Sequence, residues 1–527
     1  MDTGQSRWRR MAPVAVAIVA IVVHVPLLLH PAYVYDDMLV ILKDPRVAGG
    51  DWAGAWTGAY IPDATDNLYR PLVTSTYLLQ WAIHGDSPLA FRAVNIALHA
   101  AVSVLVLLLA RRLMVEQPAG EDIAARGDRS ACRTSLGEAA AFIAAMLFAV
   151  HPIHTEVVSS IAFRTESMVT LTVLGAMLAA WGRMTLRRIA GICLILLAGL
   201  LTKEQALAIG PLAILSWWIA RRGKIDAAER RRAWVLAALA LWLTAGYLVV
   251  REMMHPMAWD RAWLEWHFNP IVLAEGWDRV LFPVRLLGRY VMLMAWPARL
   301  SIDYGGVTIR PWTSWSQPDI WVGLATIVAG IGLLVWSWRT RRWRVLLCVV
   351  AAAMVYAPVS NSLVVIVTPF NERLFYSPSV FVLLGAAWVL SRMRAGWGAA
   401  AVAFVACACV TFTYTRHWTD PITLYSHNLR STPGSVRLHI ALASLQMERG
   451  ELDQAADVIG AGLANVSECW EIWALGAEIA ARQGDFDLAD QRLERAWALA
   501  DSRAYAFVGS IATTVNRLRE GLDPQWD

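Results

Sequence analysis

The chain has 527 residues, of which 57% are hydrophobic and 17% charged, and a formal net charge of +5. That composition excludes an ordinary soluble enzyme, and arginines gathered in short clusters give no footprint for nucleic-acid binding. The charges fall between apolar runs of about 17 to 25 residues, each able to cross a hydrocarbon core about 30 Å thick.

In chain order, the spans are expected near 11–29, 94–110, 135–151, 165–181, 187–202, 204–220, 233–250, 319–338, 343–360, 374–391 and 396–414. The fold class is therefore all-α: a polytopic membrane protein of about eleven spans. Arg7, Arg9 and Arg10 precede the first run and place the N-terminus in the cytoplasm. No small-residue cleavage site follows that run, so it reads as an anchor and not a signal peptide. Arg111-Arg112, Arg183, Arg221-Arg222 and Arg230–Arg232, Arg339 with Arg341-Arg342, and Arg392 mark later inner turns. Trp56, Trp217, Trp218, Trp296 and Trp338 fall near span ends as interfacial anchors. Residues 280–297 are apolar but carry Pro283, Arg285, Arg289 and Pro297, so a re-entrant or interfacial helix is expected there.

On the opposite, outer side the polar residues are of another kind. The first loop opens with Tyr33-Val34-Tyr35-Asp36-Asp37-Met38 and continues to Tyr69-Arg70-Pro71-Leu72. The next holds His151-Pro152-Ile153-His154-Thr155-Glu156, followed by Arg164 and Glu166. Thr202-Lys203-Glu204-Gln205 and Asn371-Glu372-Arg373 follow in later turns. Ionisable groups beside apolar helices are costly and point to function. The bland readings are a helix cap at Asp36-Asp37, a structural His-Pro turn, and local Lys203–Glu204 and Glu372–Arg373 ion pairs. Asp37, His154 and Glu156 together form a candidate divalent-metal corner.

After about residue 416 the chain turns polar and helical. Ala443, Gly450, Leu452 and Ala455 recur 34 residues later as Ala477, Gly484, Phe486 and Ala489, the tetratricopeptide period. The division is 1–415, the membrane part, and 416–527, a repeat domain with units near 435–468 and 469–502 on the non-cytoplasmic side. Flanking helices are expected near 418–430 and 504–519. Of six cysteines, Cys469 stands alone in this domain, and no metal-ligand spacing or disulfide framework is visible.

Six motifs in fixed order complete the reading: Tyr35-Asp36-Asp37, Tyr69–Leu72, Arg92-x-x-Asn95-x-x-x-His99, His151–Glu156, Thr202–Gln205, and Asn371-Glu372-Arg373-x-x-Tyr376-x-Pro378-Ser379. With the stretch Asn269-Pro270 to Ser301-Ile302-Asp303 and the repeats, this resembles the transmembrane and tetratricopeptide-repeat-containing O-mannosyltransferases, of GT-C type. Two departures are the short repeat array and an Ala/Arg/Trp-rich composition that looks bacterial. The resemblance implies inverting transfer of a sugar, mannose above all, from a polyprenyl-phosphate donor to a hydroxyl, a protein Ser or Thr being the leading acceptor. On that footing Asp37 and Asp36 are the candidate base, with Asp37 favoured. Arg70, Arg164, Lys203 and Arg373 contact the donor phosphate, and His151, His154, Glu156, Glu204 and Glu372 support them. Implied partners are the lipid-linked donor, membrane lipid and a protein or peptide held by the repeats, with the active site at the periplasmic face of a bacterial inner membrane. A lipid-linked-glycan transporter and a non-catalytic membrane scaffold are the alternatives.

Overall fold

The computed structural model describes residues 3–62, 68–115, 127–256, 264–311 and 314–522, and among these there are helices but no strand. The membrane part comprises α1 (Thr3–Val22), α2 (Pro71–His84), α3 (Pro88–Met114), α4 (Gly127–Val150), α5 (Arg164–Ala179), α6 (Leu186–Leu200), α7 (Ile209–Arg221) and α8 (Ala227–Met254). It continues through α9 (Gly276–Ala295), α10 (Pro318–Arg339), α11 (Trp343–Tyr356), α12 (Tyr376–Leu390) and α13 (Gly396–Thr415).

Among the described residues five helices are long and apolar enough to cross a membrane, or six if Ser135–Val150 and Pro152–Ser159, bent by 50°, form one span. The chain is thus an integral membrane protein, though with fewer span-length helices than the eleven apolar runs. The shortfall has a physical cause. The run 204–220 opens with a 3-10 turn, Glu204–Ala208, which leaves α7 with 13 residues. The helices α5, α6 and α11 are likewise short, at 16, 15 and 14 residues, so these four measure about 20–24 Å. Likewise α1 stops at Val22 and a short helix restarts at Pro26, so 11–29 is not one rod. Trp56, Trp296 and Trp338 are exposed as anchors should be, but Trp217 is buried and donates to Glu229 Oε1 at 3.0 Å.

The core forms around α3, which packs on α1, α4 and α5. At the edge, α9 is one unbroken helix of 20 residues lying against α10. Two glycines let these backbones touch. A Cβ on Gly288 would stand 1.9 Å from the Asp319 carbonyl oxygen, and one on Gly323 2.0 Å from that of Val284. Close approach through small residues is a standard helix–helix contact in membranes. It brings Arg285 and Arg289, which made this segment look unfit to span, onto Asp319 at 3.3 and 2.8 Å. Gly288→Ala is expected to cost about 1–3 kcal/mol by overpacking. Thermal unfolding in detergent checks this, with Gly330→Ala, where a Cβ meets nothing within 4 Å, as the control.

Beyond α13 come α14 (Pro421–Ser431), α15 (Val436–Glu448), α16 (Leu452–Asn465), α17 (Trp470–Arg482), α18 (Phe486–Leu499) and α19 (Tyr505–Arg519). The α15–α16 and α17–α18 pairs turn at Gly450 (φ +76°) and Gly484 (φ +86°), a left-handed conformation that favours glycine after a helix end. Ala443, Ala455, Ala477 and Ala489 are fully buried where the helices meet. This array is stitched to the membrane part. Asp303 Oδ2 accepts from Ser435 Oγ at 2.5 Å, Asn428 Oδ1 from the Ile302 amide at 3.0 Å, and Trp418, completely buried, packs with Leu27, Ile96 and Leu438.

Candidate functional site

The two neighbouring aspartates do different things. Tyr35 has φ +55°, a conformation costly for a bulky side chain, and a π-helical turn, Met38–Leu42, follows at once. Across this irregular backbone Asp37 is enclosed and Asp36 is half-buried. Asp37 Oδ1 accepts from Ser160 Oγ at 2.7 Å and the Ala162 amide at 3.0 Å, and Oδ2 accepts from the Val34 amide at 3.3 Å. Burial pushes the Asp37 carboxyl up to about 6, opposed by Arg92 and these hydrogen bonds. With no exposed surface and both oxygens engaged, Asp37 fixes the loop onto 160–162 and cannot meet a substrate hydroxyl as it stands. Asp36 instead shares its electrostatic surroundings with Tyr35, Arg373 and Arg437.

Arg373 reaches this place from the turn before α12. Its guanidinium pairs with the buried Glu156, its amide donates to Glu156 Oε2 at 2.8 Å, and it lies 3.9 Å over the Phe163 ring. The partner is thus Glu156, 217 positions earlier, and not the adjacent Glu372. Glu372 turns the other way, accepting from the Ser301 amide and the Tyr304 hydroxyl, each at 2.7 Å. Asn371 Nδ2 donates to the Ile302 carbonyl at 2.9 Å and to Glu156 Oε1 at 3.4 Å. Arg437, at the start of α15, lies 4.3 Å over the Phe268 ring and 3.9 Å from Asp303.

The other expected site residues separate from this group. Arg164 is fully buried, and its three nitrogens donate to Asn95 Oδ1, Thr76 Oγ1 and the Phe91 carbonyl at 2.9, 3.0 and 3.1 Å. It ties α2, α3 and α5 together rather than offering a phosphate contact. Lys203 is buried and pairs with Glu166 instead of Glu204. Arg70 stacks at 4.9 Å over Tyr60 and lies in the electrostatic neighbourhood of Lys203 and Glu204, forming a second cluster. The metal corner does not assemble. His154 is spent on the Phe148 carbonyl and Ser379 Oγ, both at 2.8 Å, while Glu156 and Asp37 hold the partners just given. His151 is likewise structural, bonded to the Met294 carbonyl at 3.1 Å and the Ile153 amide at 3.3 Å.

A large apolar groove, of about 1850 Å³, runs between α10, α11 and α12. One end is ringed by Arg112, Arg221, Arg222, Arg341 and Arg342. The other end is Tyr356 and Phe375, and Phe375 is two residues from Arg373.

No family model matches the chain, and no solved structure matches it. Curated proteins do. The protein O-mannosyl-transferase F38B6.6 of Caenorhabditis elegans is 24% identical over 430 residues, 79% of this chain and 57% of the worm protein. Protein O-mannosyl-transferase Tmtc3 of Drosophila melanogaster is 30% identical over 30% of the chain, and human TMTC1 is 30% identical over 29%. The chain is TMTC-like in sequence. It spans 57% of the worm relative and 18% and 16% of the fly and human ones.

In this TMTC-like chain sequence reasoning missed Arg437, Asp303 and Tyr304. Ser301-Ile302-Asp303 carried a signal as a matched stretch without a role; Arg437 carried none, since only docking of α15 brings it to the loop. Asp37 gives a pH test. Its folded value, about 6, lies above the ordinary 3.8, so the folded state binds the extra proton between them. The stability margin of wild type over Asp37→Asn is therefore expected to be largest below about 3.8 and to shrink as pH rises through about 6, where only its hydrogen-bond share remains. Thermal unfolding of both proteins from pH 4 to 8 measures it, and a margin that grows with pH would contradict the assignment.

Proposed function

We propose that this protein is a membrane glycosyltransferase that moves a sugar, mannose by its relatives' names, from a polyprenyl-phosphate donor to a serine or threonine hydroxyl with inversion. The observation that carries the reading is the apolar groove ending two residues from Arg373, beside a half-buried carboxylate, Asp36. A long isoprenoid tail fits a groove open to lipid, and its phosphate would lie at the guanidiniums of Arg373 and Arg437. Arginine suits phosphate because its planar fork gives two parallel hydrogen bonds.

In the reaction the acceptor oxygen attacks the anomeric carbon, the bond from that carbon to the phosphate oxygen breaks, and the acceptor proton passes to Asp36. The base in this reading is Asp36 and not Asp37, because a base must come within hydrogen-bond reach of the proton it takes and Asp37 is fully buried. The two arginines also balance the charge growing on the leaving polyprenyl phosphate. Arg70 and Lys203, beside Glu166 and Glu204, form a second, charge-balanced cluster that takes no part in this reading.

The array from 416 onward fits a short tetratricopeptide-repeat domain, which would present the acceptor peptide to the site. The remaining short apolar helices would complete a topology of about eleven crossings, with the site and repeats on the periplasmic face of a bacterial inner membrane. The test is transfer by purified protein from radiolabelled polyprenyl-phosphate mannose to a mixed periplasmic protein extract. Label on protein is expected. Label that stays on lipid, with the donor bound and the protein folded, would move the reading to transport or display.

A further inference from the structure

We infer that His267, Cys469 and Glu471 form a zinc site that clamps the 264–270 loop to the start of α17. Among the described residues, this is the group of His, Cys, Asp and Glu side chains close enough to share a metal ion, with ligand atoms within 4.8 Å of one another. The reasoning is independent of the transfer reaction.

The arrangement is hard to explain as ordinary pairing. His267 Nε2 stands 2.8 Å from Glu471 Oε1, yet that nitrogen, on a side chain 2% exposed, makes no hydrogen bond of acceptable geometry. Glu471 turns its other oxygen to Cys469 Sγ at 2.6 Å. A nitrogen, a sulfur and a carboxylate thus converge on one point. Cys469 is 1% exposed, so the thiol is not placed for solvent chemistry.

The supporting residue is Glu265. Its Oε2 lies 3.4 Å from His267 Nδ1 and accepts from Trp470 Nε1 at 3.2 Å. A carboxylate on the far nitrogen of a metal-bound histidine fixes the ring and its tautomer, and here it aims Nε2 at Cys469 and Glu471. One neutral imidazole, one thiolate and one carboxylate balance a divalent charge. Sulfur with imidazole selects zinc over magnesium or calcium, which prefer oxygen alone. The clamp would act where the array meets the membrane part: the His267 carbonyl accepts from the Gly306 amide at 2.8 Å, and Arg437 stacks on the neighbouring Phe268.

The test uses full-length protein in detergent, stripped with chelator and reloaded. Wild type is expected to retain about one zinc per chain. Glu265→Gln should bind about 10–100-fold more weakly, and Cys469→Ser more weakly still. Cobalt in place of zinc should show a thiolate-to-metal band in wild type and in Cys409→Ser, whose cysteine is exposed, but not in Cys469→Ser. Should Cys469→Ser fail to fold, wild type decides alone. Less than about 0.1 zinc per chain, or a cobalt spectrum without a thiolate band, overturns the site.

Discussion

Asp36→Asn is expected to lower sugar transfer by about 10²–10⁴-fold, the usual worth of a general base, while changing stability by no more than about 1 kcal/mol. The amide keeps the shape of the side chain and removes its ability to take a proton. Asp36 is half-buried at the turn, whereas Asp37 is fully buried among Ser160 Oγ and the Ala162 amide. Asp37→Asn should show the reverse pattern. Its new amide places N–H donors among the N–H and O–H groups that the carboxylate accepts from, so stability suffers first and rate follows through misfolded protein. Initial rates normalised to folded protein separate the two. Full transfer by Asp36→Asn, beside a rate loss in Asp37→Asn that persists after normalisation, returns the base to Asp37.

The second large effect concerns Glu156 and Arg373. Glu156 is fully buried and Arg373 nearly so, and together they join the 151–156 segment to the start of α12. Glu156→Leu strands a desolvated guanidinium and is expected to cost about 3–5 kcal/mol. Adding Arg373→Met removes that charge. The double variant should regain stability to within about 1–3 kcal/mol of wild type, the remainder reflecting the Arg373 amide and Asn371 Nδ2 that lose their acceptor. It should nonetheless transfer sugar far more slowly, because Arg437 is left alone at the phosphate position. Thermal unfolding in detergent beside the transfer assay checks both halves. A double variant no more stable than Glu156→Leu sinks the account of the pair, and one that transfers normally removes Arg373 from the donor site.

Much of the site was legible as positions but not as roles. Charge patterning along the chain is a local property, so the polar motifs and the arginine-rich turns could be located directly. Which carboxylate of Asp36-Asp37 faces out could not, because it depends on the left-handed turn at Tyr35 and on Ser160 and Ala162, more than 120 positions away. The same limit applies to the arginines. Arg70, Arg164 and Arg373 look equivalent as motif residues, yet Arg164 is consumed by Asn95, Thr76 and Phe91, and Arg373 finds Glu156.

By itself the sequence determined the all-α membrane class, the 34-residue period of the C-terminal helices and the likeness to the O-mannosyltransferases. These follow from hydropathy, periodicity and motif order, which need no knowledge of long-range contacts. Only the tertiary structure decided where apolar runs break, how Gly288 and Gly323 let α9 carry Arg285 onto Asp319, and that Arg437 and Cys469 leave the array to join Asp36 and His267. Partners hundreds of residues apart meet because burial forces each polar group to find the complementary one nearest in space, and nearness in space is a property of the packed chain.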